Sequence, residues 1–351
     1  MGGGYATGRE LVEFFLSLGP ASGLVGMGLT ALLFSVGAMI SFELARRFHA
    51  YDYHSFTRLF LGRFRVLFEV GYLATLVLVL AIVSAAAGEL LSSYGCPRWL
   101  SETLFMTIVA VLVFFGSSLV ERVISIWSIV FYVTYCLVCG LVVSRFGSAL
   151  SQALGSEPVR TAAALWNGLS YTSYNIPLLP VLIFVARHFQ SRREALIAGA
   201  LTGPLVLFPG FVFLLTLSAF YPDIVRAPLP VQVVLERLDL PWLTTAVRLV
   251  ILGALIKTGT GLLHGFNERL ARSAVDRGRA LPQTLRPLVA ITLMLAAVFA
   301  ATTVGLVDLI GKGYRYSALY FLIVLVIPLM TIGLWRVLAP LTAAELPKLP
   351  K

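Results

Sequence analysis

Of the 351 residues, 58% are hydrophobic and 13% charged, and the mean hydropathy is +0.90; that balance excludes an ordinary soluble domain and predicts an all-α integral membrane protein. The net charge is +10, yet Lys and Arg sit in short turns between apolar stretches, and no basic patch interleaved with aromatics points to nucleic acid. Three cysteines, Cys96, Cys136 and Cys139, give no disulfide framework; Cys136 and Cys139 form a C-x-x-C inside an apolar run and read as buried structural thiols.

The chain opens Met1-Gly2-Gly3-Gly4-Tyr5-Ala6-Thr7-Gly8-Arg9-Glu10. Consecutive glycines each cost a helix roughly 1 kcal/mol relative to alanine, so residues 1–8 are expected to be non-helical and near mid-membrane. Helix formers take over from Arg9 to Leu18. This stretch is too short to span and reads as the outer half of a truncated first helix that begins at its own break; a genuinely short first helix is the other reading. No basic n-region or small-residue cleavage site marks it as a signal peptide.

Nine apolar stretches long enough to span follow, at about 22–45, 66–93, 102–120, 123–144, 161–186, 194–219, 241–266, 286–307 and 316–339. Between the first two, residues 48–66 alternate Phe56, Leu59, Phe60 and Phe64 with Arg58, Arg63 and Arg65, the pattern of an amphipathic helix on the cytoplasmic surface. The 161–186 stretch carries a polar run and two prolines, Ser170-Tyr171-Thr172-Ser173-Tyr174-Asn175-Ile176-Pro177-Leu178-Leu179-Pro180. Proline removes a backbone bond and clashes with the preceding turn, so an unwound segment is expected over Tyr171–Asn175, facing the glycines of residues 2–4. Gly203-Pro204 and Pro209-Gly210 predict a bend in the next span, and Pro228 to Pro241 bound a helical run outside the membrane.

Topology follows from the basic residues. With residue 18 outside, the inner turns hold seventeen Lys and Arg and the outer turns seven, which places the C-terminus in the cytoplasm of a multi-pass protein of the cell (inner) membrane. Counting the N-terminal segment gives ten helices. Five and five divide as a first repeat over 1–147, an extracellular linker over 148–158, a second repeat over 159–340 and a cytoplasmic tail over 341–351. Because five is odd, the halves enter the membrane in opposite senses, an inverted repeat whose halves each begin with a broken helix, and such broken segments point to a transporter's binding site.

Ionisable groups inside spans are costly unless paired. Arg9 and Glu13 stand at i, i+4 and pair most simply with each other, with an outer gate as the functional alternative. Glu69 and Glu89 are about 30 Å apart along one helix; Glu69 reads as interfacial, and Glu89, after Ala85-Ala86-Ala87-Gly88, as structural or as lining the outer pathway. His264 and Glu268 lack further ligands for a metal and read as a capped inner helix end. Lys257 lies mid-span beside Thr258 and Thr260. Its ammonium is expected to take the place of, or repel, a bound cation and to exchange a proton in a transport cycle; a packing pair with Glu89 is the alternative.

The motifs Gly2-Gly3-Gly4-Tyr5-Ala6-Thr7-Gly8-Arg9-Glu10, Ser170-Tyr171-Thr172-Ser173-Tyr174-Asn175 and Thr258-Gly259-Thr260-Gly261 with Gly265-Phe266-Asn267-Glu268-Arg269 resemble those of the YkvI-type permease family of the amino acid, polyamine and organocation superfamily. The resemblance implies an inverted five-plus-five helix repeat, the LeuT-like fold, with helices one and six broken around a midplane site. It names no substrate, and the truncated first helix departs from the family pattern.

The expected function is secondary transport of a small solute, an amino acid or related compound, by alternating access. The solute is to be bound by Gly2, Gly3, Gly4, Tyr5, Thr7, Tyr171, Ser173, Tyr174 and Asn175. Lys257, Thr258 and Thr260 are the coupling site of a proton-coupled or uncoupled cycle, and Arg9, Glu13 and Glu89 the gate. A non-transporting sensor or germinant-type binding subunit on the same fold is the alternative. No nucleotide-binding loop, catalytic pairing or cofactor motif is present in the sequence, so neither an enzyme nor a cofactor is expected; oligomeric state is not legible.

Overall fold

The computed structural model describes residues 3–115, 118–275 and 285–340, with side chains described over 5–113, 127–267 and 288–340. The described chain is helical throughout its ordered elements, as a bilayer demands of a backbone that must satisfy its own hydrogen bonds. In chain order the helices are α1 (Gly3–Thr7), α2 (Arg9–Phe14), α3 (Pro20–Phe48), α4 (Tyr53–Leu61), α5 (Arg65–Ser92), α6 (Arg98–Phe115), α7 (Ser118–Leu154) and α8 (Thr161–Asn175). They continue as α9 (Leu179–Leu182), α10 (Arg192–Ser218), α11 (Pro230–Leu238), α12 (Pro241–Val275), α13 (Leu285–Val304), α14 (Leu306–Asp308), α15 (Tyr314–Phe321) and α16 (Leu334–Leu338). Among the described residues seven helical stretches are long and apolar enough to cross a membrane. The two remaining expected spans are occupied by α6 and α13, of 18 and 20 residues.

Two compact units emerge. The first comprises residues 1–20, 74–158 and 212–313; the second comprises 21–73, 159–211 and 314–351. Each unit collects segments from both of the sequence halves. In the first, α12 is the central element, packed by α1, α6, α7, α11 and α13. In the second, α8 packs along α15, while α3 runs close enough to α8 and α10 that only glycine fits: a methyl on Gly168 would lie 2.4 Å from the Gly26 carbonyl, and one on Gly203 2.0 Å from the Ala31 carbonyl. Small residues are what allow helix backbones to approach so closely in a membrane.

Two expectations are corrected here, and two further segments are placed. Residues 3–7 are helical, so the triple glycine does not hold the first segment open; the break falls at Gly8, whose φ of 78° is the left-handed conformation that glycine tolerates. Packing of α1 against α12 offsets the poor intrinsic propensity of the glycines. Tyr171–Asn175 is not unwound: α8 runs unbroken to Asn175, and Pro177 and Pro180 tighten the chain into 3-10 turns, with a single α turn between them, from Ile176 to His188. Every residue at that junction keeps right-handed helical angles, so the two prolines change the winding and leave the axis closed. The expected amphipathic segment forms α4, with Phe56 and Phe60 0% and 4% exposed within the second unit's core, beside Phe68, Ile176 and Leu329, while Phe64 beyond its end is exposed. Finally, the linker at 148–158 is helical as far as Leu154, because α7 continues past a kink at Phe146.

Candidate functional site

The break at Gly8 is a built feature of the first unit. Gly8 N–H donates to the Tyr5 carbonyl at 3.1 Å, and the Arg9 amide donates to the Thr7 hydroxyl at 3.3 Å. Tyr135, projecting from α7, donates its phenolic hydrogen to the Ala6 carbonyl, one of the acceptors that α1 leaves free at its C-terminal end. Tyr135 stacks on Phe131 at 4.2 Å and meets Phe213 edge-on at 4.9 Å. Phe213, Leu217 and Pro230 close on Gly8 itself at 3.2–3.3 Å from where a Cβ would stand. Thr7 and Tyr5 are buried at 1% and 8% exposure. Of the predicted residues here, Gly3 and Gly4 lie in α1 and Gly2 lies outside the described residues.

Arg9 and Glu13 pair as their spacing predicts, Nη2 to Oε2 at 2.9 Å. The guanidinium also donates to the carbonyls of Val225 and Ala227 at 2.7 and 3.2 Å. It therefore fastens α2 to the loop that leads into α11. Hydrogen bonds from a charged donor are worth about 1.5–3 kcal/mol each, so this anchor holds the outer side of the Gly8 break in one geometry.

In the second unit, Tyr171 and Tyr174 meet edge-on at 5.3 Å, and Tyr174 stacks nearly parallel on Tyr314 of α15 at 4.3 Å. The polar side chains of this turn bond their own helix: Thr172 to the Gly168 carbonyl, Ser173 to the Leu169 carbonyl and Asn175 Nδ2 to the Tyr171 carbonyl, at 2.7–3.0 Å. Asn175 thus contributes its amide hydrogen to the helix end and keeps an amide oxygen for other use. Thr30 donates to the carbonyls of Gly26 and Gly168, tying α3 to α8 at their closest approach.

On α12, Thr258 bonds the Ala254 carbonyl, and the Thr260 hydroxyl is buried with no partner. Lys257 Nζ donates to the Ser128 hydroxyl of α7. The alternative pairing of Lys257 with Glu89 is corrected: Glu89 binds Arg98 at 2.7 Å. Glu268, expected with His264 to mark a capped inner helix end, lies outside the described side chains. Glu69 stands 3.8 Å from His54 and is about one-third exposed, as an interfacial residue should be.

One group escaped the sequence reading. Glu102 of α6 is 3% exposed and its Oε2 has no hydrogen-bond partner. Gly88 makes room for it: a methyl there would lie 2.6 Å from Glu102 Cγ and 2.8 Å from Oε1. The run Ala85-Ala86-Ala87-Gly88 was the available signal, since a small-residue turn ending in glycine admits a bulky neighbour, but sequence alone does not say which. Among the described residues no three His, Cys, Asp or Glu side chains converge to hold a metal ion.

No family model and no curated protein matches the chain. Solved structures do. The manganese transporter of Eremococcus coleocola, in complex with an aromatic bis-isothiourea substituted compound, superposes with a TM-score of 0.51 at 16% identity, covering 94% of this chain and 75% of that one. Structures of two single-residue mutants of that transporter give TM-scores of 0.50 and 0.51 at 18% and 17% identity over the same shares. At this identity the likeness shows the fold alone: this chain is an all-α, multi-pass membrane protein that shares the fold of those structures.

Proposed function

We propose that the chain is a secondary transporter of a small organic solute, an amino acid or related compound, that works by alternating access in the cell membrane with its C-terminus in the cytoplasm. The observation that carries this reading is the break at Gly8. There a membrane-embedded helix is interrupted by a left-handed glycine, its freed carbonyls are met by a tyrosine from another helix, and the site is set in a fold shared with a known transporter. Interrupted helices place amides and carbonyls where a solute's carboxylate and ammonium can replace them as partners. In the second unit, Tyr171, Ser173, Tyr174 and Asn175 are the residues proposed to bind solute, and the resemblance of the sequence motifs to those of the YkvI-type permeases, with the inverted five-plus-five repeat it implies, supports the same reading.

A second reading, transport of a divalent cation, is favoured by the fold shared with a manganese transporter. Hard cations take several oxygen ligands, usually with carboxylates, and the residues proposed for this site offer hydroxyls, an amide and carbonyls without a carboxylate. Uptake of radiolabelled amino acids and of manganese into proteoliposomes containing the full chain separates the two. Amino acid flux lost in Asn175→Ala supports the organic solute. Manganese flux without amino acid flux overturns it, and ligand-induced thermal stabilisation with no flux of either assigns the sensor alternative.

A further inference from the structure

A cavity of about 580 Å³ in the second unit, with none of the residues proposed for transport in its lining, is lined by Arg58 of α4, Arg65 at the start of α5 and Arg336 of α16, with His49 and His54. No ion-pair partner of these three arginines exists among the described residues, and Arg336 Nε is buried with no acceptor. The acidic residue lining the cavity is Asp52. Partial burial alone would raise its carboxyl; the Ser55 hydroxyl and the amides of Ser55 and His54 outweigh that and hold it below the usual carboxylate range. Asp52 is thus ionised and already committed as the cap of α4, so the cavity keeps an excess of positive charge.

Contacts beside the cavity position Arg336 and the end of α16. Arg47 donates to the carbonyls of Val337 at 2.6 Å and of Ala339, pinning the end of α16. Both Arg47 and Arg336 lie 5.8 Å from the Phe48 ring. His49 adopts a left-handed φ of 51°, rare for a residue with a side chain, which turns the chain at the cavity wall. Guanidinium groups without an ion-pair partner offer several donors in fork geometry, the arrangement that recognises phosphate.

The cavity also adjoins an apolar surface. Phe64, Val66, Leu67 and Val70 are 45–61% exposed, and they flank Arg65 at the start of a membrane-spanning helix. We infer that this cavity binds a phosphate-bearing anion, the headgroup of an acidic phospholipid whose acyl chains lie along the exposed Phe64–Val70 face. The chemistry is shared with free phosphate; the adjoining acyl-sized apolar face favours the lipid.

The test uses the purified full-length chain in nanodiscs of phosphatidylcholine, with or without phosphatidylglycerol, and reads retained lipid by native mass spectrometry alongside the melting temperature. Phosphatidylglycerol should be retained at least tenfold over phosphatidylcholine. Each of Arg58→Gln, Arg65→Gln and Arg336→Gln should reduce that preference about fivefold, and Arg63→Gln, a basic residue that stacks on Phe64 outside the cavity, should leave it unchanged. Arg58 is exposed, so its variant tests the site without endangering folding. Stabilisation by inorganic phosphate in phosphatidylcholine discs, lost in Arg58→Gln, would keep the phosphate site and reassign its source. Equal retention of the two lipids, or a preference that Arg58→Gln does not touch, overturns the inference.

Discussion

At the scale of single residues, two glycines decide the geometry of the first unit for different reasons. Gly8 is needed for its conformation: at a φ of 78° a side chain costs roughly 1–2 kcal/mol, and the alanine methyl would also press on Leu217, Phe213 and Pro230 at 3.2–3.3 Å. Gly8→Ala should therefore lower stability by about 1–3 kcal/mol and abolish solute binding, read as a fall in melting temperature together with loss of ligand-induced stabilisation. Gly88 is needed for its emptiness. Gly88→Ala forces the Glu102 side chain to move and should cost about 1–3 kcal/mol, whereas in the Glu102→Ala background the same methyl finds space. A double-mutant cycle read by thermal unfolding should return a coupling of about 1 kcal/mol or more. Additive effects would show that Gly88 does not serve Glu102.

Helices, taken as elements, show which features the sequence carried and which it could not. Span positions were legible because hydropathy over roughly 20 residues is a sum insensitive to detail. Break positions were not, because a break is settled by what packs nearby. Three glycines at 2–4 look like the weak point, yet α1 forms against α12, and the chain yields at Gly8, where Tyr135 and Pro230 approach. Pro177 looks like a breaker, yet helix continues on both sides by tightening into 3-10 turns, with Ser173 and Asn175 donating back to the Leu169 and Tyr171 carbonyls of their own helix. The same limit hid Glu102, whose meaning depends on Gly88 of a different helix. The spacing Gly199-x-x-x-Gly203 on α10 is the converse case, a short motif whose packing role the structure states outright. Methyls on these residues would stand 2.5 Å from Met39 Cα and 2.0 Å from the Ala31 carbonyl of α3. Gly203→Ala should cost about 1–3 kcal/mol by separating α3 from α10. Gly140→Ala on α7, where the same methyl meets nothing within 4 Å, should cost nothing in the same unfolding assay.

For the molecule as a whole, the question is what drives the proposed cycle, and the proposed coupling residues lie on α12. This helix packs against α1, next to the Gly8 break, and against α7, and carries Lys257, Thr258 and Thr260 within one turn. Lys257 donates to Ser128, so its ammonium is held by a neutral hydroxyl and brings an uncompensated positive charge to the middle of a span. Thr258 has given its hydrogen to the Ala254 carbonyl, and Thr260 has a buried hydroxyl still without a partner. A second cation among these oxygens would meet the ammonium at close range, where the low dielectric makes like-charge repulsion large. On the proposed reading, transport should therefore proceed without a sodium gradient, uncoupled or coupled to protons. Lys257→Met removes the proposed proton carrier and should leave uptake measurable with its pH dependence lost. Ser128→Ala keeps the ammonium and should shift that pH dependence without removing it. Proteoliposomes prepared with imposed sodium or proton gradients distinguish the cases: uptake that requires sodium, and that Lys257→Met leaves unchanged in rate and pH profile, would show that the coupling ion binds elsewhere.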